Sequence, residues 1–213
     1  MIHSHRSQNL AVVRSRDSPS REVRNGHYGD GTGRPCDCQI DAPRTALYRD
    51  GTLLDEQPST YADFTVPEEE AAYRLVMEAE RGAPAGLSTR VSVTWTFRSG
   101  RTNETATRLP VSVVRFSPPL DADNSAPAGR SFTVPLTVQR QAESAAGEVR
   151  DLSVEVSYDD GATWSTAKIE RSAAILRHPD GEGFVSLRAR STDATGNTVE
   201  QTVIRAYRIA PPT

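Results

Sequence analysis

The chain has 213 residues, enough for one large or two small domains, with 25 basic and 28 acidic side chains and a formal charge of −3. That balance argues against a nucleic-acid binder, which carries a basic stripe, and no apolar run approaches the ~18–20 residues of a membrane helix. Hydrophobic residues make up 36%, below the roughly 45–50% of average domains, so the cores are expected to be small or thin.

Residues 1–44 hold seven arginines, five acids and three of the four histidines, His3, His5 and His27. Their one apolar run is Leu10-Ala11-Val12-Val13, followed by nothing periodic. Such a segment buries too little apolar surface to offset its ordering entropy, so it is expected to be disordered. The run is shorter than the roughly 7–15 residues of a signal-peptide core, so no signal peptide is expected. Without one the chain is expected to be cytoplasmic as written, or to lack its true start. Cys36 and Cys38 lie here, one residue apart, too close for an unstrained disulfide between ordered strands.

From Thr45 onward the hydrophobic period is two. Pro67 to Glu70 start like a helix, but Tyr73, Leu75 and Met77 alternate with Arg74, Val76 and Glu78. A turn or short helical start at 67–71 and a strand at 72–80 are expected. Val91, Val93, Trp95 and Phe97 share one face of 90–98. Phe132, Val134, Leu136 and Val138 share one face of 131–139, where Pro135 predicts an edge strand. Leu152, Val154, Val156 and Tyr158 form a third face, and Val185, Leu187 and Ala189 a fourth. A last strand spans 199–209, with its inward parity open. One-sided alternation marks antiparallel sheets with one wet face.

The turns agree. Asp159-Asp160-Gly161-Ala162 and Asp193-Ala194-Thr195-Gly196-Asn197 separate strands, with weaker signals at Arg49-Asp50-Gly51 and Arg98-Ser99-Gly100. Ser117-Pro118-Pro119 and residues 121–129 read as a linker or long loop. The expected architecture is all-β: two tandem antiparallel sandwiches of the immunoglobulin or fibronectin-III kind, at 45–116 and 117–213, after the disordered segment 1–44. The first is short for such a domain and is expected to be incomplete.

Ser157, Asp159, Gly161 and Trp164 fit the pattern S-x-D-x-G-x-T-W, the Asp box found on hairpin turns of sialidases and other β-proteins. Its content is local. Asp159 can accept backbone N–H bonds across the turn, Gly161 can supply positive φ, and Trp164 can pack the hairpin. A propeller enzyme repeats the motif at blade spacing, and here there is one copy, so a structural turn is expected. Ser165 and Lys168 match S-x-x-K, but the companion motifs of penicillin-binding enzymes are missing. His178 is the only histidine in the expected body, and it stands in a loop sequence with no nucleophile elbow anywhere. No catalytic residue and no cofactor are expected. A calcium site at Asp121, Asp123, Asp193 and Asn197 is the lesser alternative to turn capping. Asn103-Glu104-Thr105 is a sequon in form.

Several segments resemble the C-terminal region of secreted subtilisin-like serine proteases of Streptomyces and related actinobacteria. They are Tyr48–Gly51, Phe64–Pro67, Tyr73–Leu75, Glu78–Arg81 and Thr94–Ser99 in the first half. In the second half they are Val114–Pro118, Asn124–Thr133, Val156–Trp164, Gly183–Arg188 and Thr192–Tyr207. Together they cover about 45–210. The resemblance implies a β-rich tail, an extracellular setting, and a protease catalytic domain or a protein substrate as partner. The family's catalytic Asp, His and Ser motifs are absent from this sequence, so no enzymatic role is carried over. The expected function is therefore that of a non-catalytic accessory module, a spacer, stabiliser or substrate-docking surface, in a truncated remnant. The alternative is a cell-wall or carbohydrate-binding β-sandwich protein, which would show a row of exposed aromatics. No nucleic-acid or membrane partner is expected, and a monomer is.

Overall fold

A computed structural model describes residues 21–25, as backbone, and 40–211 apart from 61, 84 and 101–106. The described residues form no helix. In chain order the first strands are β1 (Arg21–Asn25), β2 (Arg44–Arg49), β3 (Thr52–Gln57), β4 (Ala62–Val66), β5 (Ala71–Glu80), β6 (Arg90–Ser99) and β7 (Ser112–Phe116). Then come β8 (Ser125–Pro127), β9 (Ser131–Arg140), β10 (Val149–Ser157), β11 (Ser165–Thr166), β12 (Lys168–Glu170), β13 (Ala173–Arg177), β14 (Gly183–Asp193) and β15 (Thr198–Ala210). All ladders between these strands are antiparallel except β8 on β15.

One nine-stranded sheet carries the fold, in the order β11-β10-β14-β15-β6-β5-β2-β3, with β8 added to β15. A four-stranded sheet, β12-β13-β9-β7, and the pair β1-β4 make up the rest. The inward side chains of the large sheet run across strands in register. Leu75, Trp95 and Val199 align, as do Met77, Val93, Gln201, Ala189 and Val154. These residues and Phe64, Phe132, Val134, Leu136 and Leu176 from the smaller sheets are buried, and apart from Gln201 they share one hydrophobic cluster. Polar bonds also tie the layers: Trp95 Nε1 donates to the Ser112 carbonyl at 2.8 Å, and Gln201 Nε2 donates to the Val114 carbonyl at 3.2 Å. The alternating faces expected on β6, β9, β10 and β14 are the buried faces, except that Tyr158, expected to continue the β10 face, lies past the end of that strand and is 36% exposed.

The ladder from Thr198↔Thr96 to Ile204↔Arg90 joins β15 to β6, and β7 pairs with β9. Both ladders cross the expected 116/117 boundary, so the two segments share one sheet and one cluster. Within 1–44 the described residues include the short strand β1 and Arg44, which opens β2; Cys36, Cys38, His3, His5 and His27 lie outside the described residues, as does the sequon. Of the two openings expected at 67–71 the turn is the one present, a bend at 68–69 tied by Glu70 to Arg98 at 2.9 Å, whereas the edge strand expected at 131–139 is corrected. Strand β9 is internal, with β13 on one flank of 131–135 and β7 on the other flank of 136–140. Pro135 stands where these ladders change flank. Its carbonyl accepts from Ser117 N past the end of the β7 ladder, so the missing N–H faces the side where that ladder has stopped.

Candidate functional site

The Asp-box residues meet in one turn between β10 and β11. Asp160 and Gly161 hold φ of +57° and +87°, and the Ala162 N–H reaches the Asp159 carbonyl at 3.1 Å, the pattern of a type I′ turn. Asp159 is the hub. Its Oδ1 accepts from Thr163 N and from Ser157 Oγ, at 2.8 and 2.7 Å, and its Oδ2 accepts from Thr163 Oγ1 at 2.5 Å. These bonds favour the charged form, the Thr163 hydroxyl first, and hold the carboxyl down to about 2. Ser157 Oγ in turn accepts the Gly161 N–H at 2.8 Å, and Trp164 Nε1 donates to the Gly161 carbonyl at 3.0 Å.

The turn rests on an irregular stretch of β15. Between Val185↔Tyr207 and Leu187↔Val203 the register shifts, because β15 has two more residues there than β14. Arg205 sits in this bulge at φ +55° and binds Asp160 through two bonds of 2.8 and 2.6 Å. Beside it the Arg188 guanidinium lies 4.5 Å from the Trp164 ring and bonds Glu155 at 2.7 Å. The sequence reading did not find Arg205. Its trace is the adjacent apolar pair Val203-Ile204, which breaks the alternation where the bulge begins.

Next to the turn lies a cleft of about 450 Å³, bordered by Glu80, Arg81, Arg90, Asp160, Ile204 and Arg205. A second, of about 540 Å³, adjoins it through Glu80 and Arg90 and is bordered by Arg44, Glu56 and Glu78. Most of their charges are paired: Arg90 with Glu80 at 2.8 Å, and Arg44 with Glu56 and Glu78 at 2.7 and 2.9 Å. Paired acids and arginines of this kind offer planar hydrogen-bonding groups but no activated nucleophile.

The other candidates are dispersed. His178 is 2% exposed, with Nδ1 2.9 Å from the Pro127 carbonyl and Nε2 3.0 Å from the Tyr207 hydroxyl. A carbonyl only accepts, so Nδ1 carries the proton and Nε2 accepts from Tyr207. Burial holds the imidazole below its ordinary value and pushes the Tyr207 phenol up. Ser165 and Lys168 fall on different sheets: β11 pairs with β10, the chain crosses at buried Ala167, and β12 pairs with β13. Lys168 pairs with Glu170. Asp193 takes N–H bonds from Gly147, Thr195 and Asn197 and side-chain bonds from Thr195 and Asn197, which occupy both oxygens. Asp121 Oδ1 accepts from the N–H groups of Asp123 and Ser125. Among the described residues no three His, Cys, Asp or Glu side chains are grouped to hold a metal.

No protein-family model matches the chain, and no characterised protein matches it in sequence.

Proposed function

We propose that the chain is a non-catalytic module of a secreted subtilisin-like serine peptidase, a spacer, stabiliser or docking surface for the catalytic domain or its protein substrate. The resemblance over about 45–210 suggests the parent. One observation carries the non-catalytic part: the imidazole of His178 is sealed in the core with both ring nitrogens taken by Pro127 and Tyr207. A general base needs a nucleophile within hydrogen-bond reach, and this one bonds only to a backbone carbonyl and a phenol. The carbohydrate-binding alternative has less support. Trp95 lies in the core, and Trp164 is stacked under Arg188.

The test is direct. The purified chain should hydrolyse neither casein nor peptide esters, and a fluorophosphonate probe should leave every serine unlabelled. Labelling of one serine that disappears in His178→Ala would overturn the reading. Retention on insoluble cell-wall polysaccharide, lost on adding the soluble glycan, would favour the alternative.

A further inference from the structure

Strand β3 is the long open edge of the nine-stranded sheet: it bonds β2 on one side and, among the described residues, no strand on the other. The opposite edge, β11, has only two residues. An open edge presents N–H and C=O groups to any extended segment that can take them. Two side chains make this edge adhesive. Leu53 and Leu54 are 48% and 38% exposed, on an edge strand whose residues Thr52–Glu56 are all exposed. Tyr48 faces Leu53 and Leu47 faces Asp55, which leaves Leu54 as the extra residue of a bulge.

The edge is also partly closed by its own side chain. The Glu56 N–H donates to Asp55 Oδ1 at 2.8 Å, the bond a strand donor makes to a neighbour when no strand carbonyl stands before it. Asp55 Oδ2 reaches Gln57 Nε2 at 3.5 Å. Asp55 therefore occupies a place that an incoming carbonyl would take. Glu56 already has Arg44 at 2.7 Å, whereas Asp55 has no cation within ion-pair reach among the described residues.

We propose that β3 is a strand-docking edge that takes an extended basic segment of a partner protein, with Asp55 setting the preference for charge. An incoming carbonyl replaces Asp55 on the Glu56 N–H, and the freed carboxylate pairs with a lysine or arginine on the new strand. Alternate apolar side chains of that strand cover Leu53 and Leu54. An acidic segment would leave two carboxylates facing each other, and a second copy's β3 brings its own Asp55 and Glu56. The inference does not depend on the protease reading, since it rests on the β2–β3 hairpin alone.

The probe is a hexapeptide of alternating valine and arginine, with its valine–glutamate counterpart, added to the full chain while backbone amide exchange is followed. The arginine peptide should slow exchange across Leu53–Gln57 and bind about threefold more tightly than the glutamate peptide, as an exposed ion pair allows. Asp55→Ala should erase the difference, and Asp55→Arg should reverse it. Glu56→Pro removes the donor and should abolish protection by either peptide, with near-ultraviolet circular dichroism reporting that the core is intact. Absence of protection at β3, equal binding of both peptides, or protection that grows with protein concentration alone would overturn the proposal; the last would make a second copy the occupant.

Discussion

Asp160 and Arg205, 45 residues apart, grip each other through two bonds of 2.8 and 2.6 Å while both hold left-handed backbone angles of +57° and +55°. The hydrogen bond to Arg205 holds the Asp160 carboxyl below its ordinary value, and the same bond holds the guanidinium above its own. A hairpin turn is thereby fastened to the bulge of a central strand. The pair is partly exposed, so the clasp contributes at most about 1 kcal/mol.

Replacing Arg205 separates the pair from its backbone. Arg205→Ala loses the clasp and keeps the left-handed residue. Arg205→Gly loses the clasp but relieves a backbone cost of roughly 1–2 kcal/mol, partly offset by the greater freedom of unfolded glycine. Urea unfolding should therefore find Arg205→Gly more stable than Arg205→Ala by about 0.5–1 kcal/mol. The reverse order would mean that the bulge relaxes out of the left-handed region once Asp160 is released.

Gly161 has two reasons to be glycine. Its φ is +87°, and a Cβ there would stand 2.9 Å from Ile204 Cδ1 and 3.3 Å from the Trp164 ring. Gly161→Val should cost about 2 kcal/mol or more in denaturant unfolding. Gly161→Ala combined with Ile204→Ala should recover the steric part but not the backbone part, which a double-mutant cycle resolves.

Stability should depend on pH through His178. Its pKa is lowered by burial from 6.5, so the unfolded chain takes up the proton first as pH falls. The stability this gives is complete above pH 6.5 and is lost below it, down to the lower folded value. Among the described residues the groups facing the ring are Tyr207, Tyr158, Phe132 and the Pro127 carbonyl, and none of them is a carboxylate that would compensate a buried imidazolium. Thermal unfolding between pH 7.5 and 5 should show a loss in the native chain that is absent in His178→Phe. Parallel curves would assign the pH dependence elsewhere.

Asp159 should titrate near 2 in the folded chain, read from its side-chain carboxyl carbon by NMR. The stability linked to this shift is present above the ordinary value of 3.8 and is lost as pH falls through about 2. Thr163→Ala removes the largest contributor, the hydroxyl bond, and should move the midpoint up toward 3.8 while leaving the Thr163 N–H bond in place. An unmoved midpoint would show that the backbone bond alone sets the value.

What was legible in the sequence is what short-range physics dictates. Alternation gave the inward faces of β6, β9, β10 and β14, and the Asp-Gly pairs gave turns with positive φ at Asp50, Gly51, Asp160 and Gly161. Sequence spacing could not reveal which edges meet. That Val199 lies beside Trp95, about a hundred positions away, is decided by how two half-sheets complete one another. Pro135 misled for a related reason, since a proline forbids one bond on one flank and not a neighbour as such. In β15 the buried polar Gln201 and the bulge at Arg205 broke the apolar rhythm, and so the parity of that strand and the seat of the Asp-box turn stayed hidden together.

Strand β15 lies between β6 and β14, so the piece that unites the sheet is made long after its first half. On a ribosome, β2 through β6 are complete at Ser99, while the strand that flanks β6 begins only at Thr198. Through that interval the open side of β6 has no permanent neighbour, and any transient mate must be given up when Thr198–Ile204 arrives. Closing so long a loop places this ladder among the slow steps of folding. A nascent chain arrested before β15 would expose the flank of the strand that carries Val93, Trp95 and Phe97 into the core, the state in which chaperone capture or aggregation competes with folding.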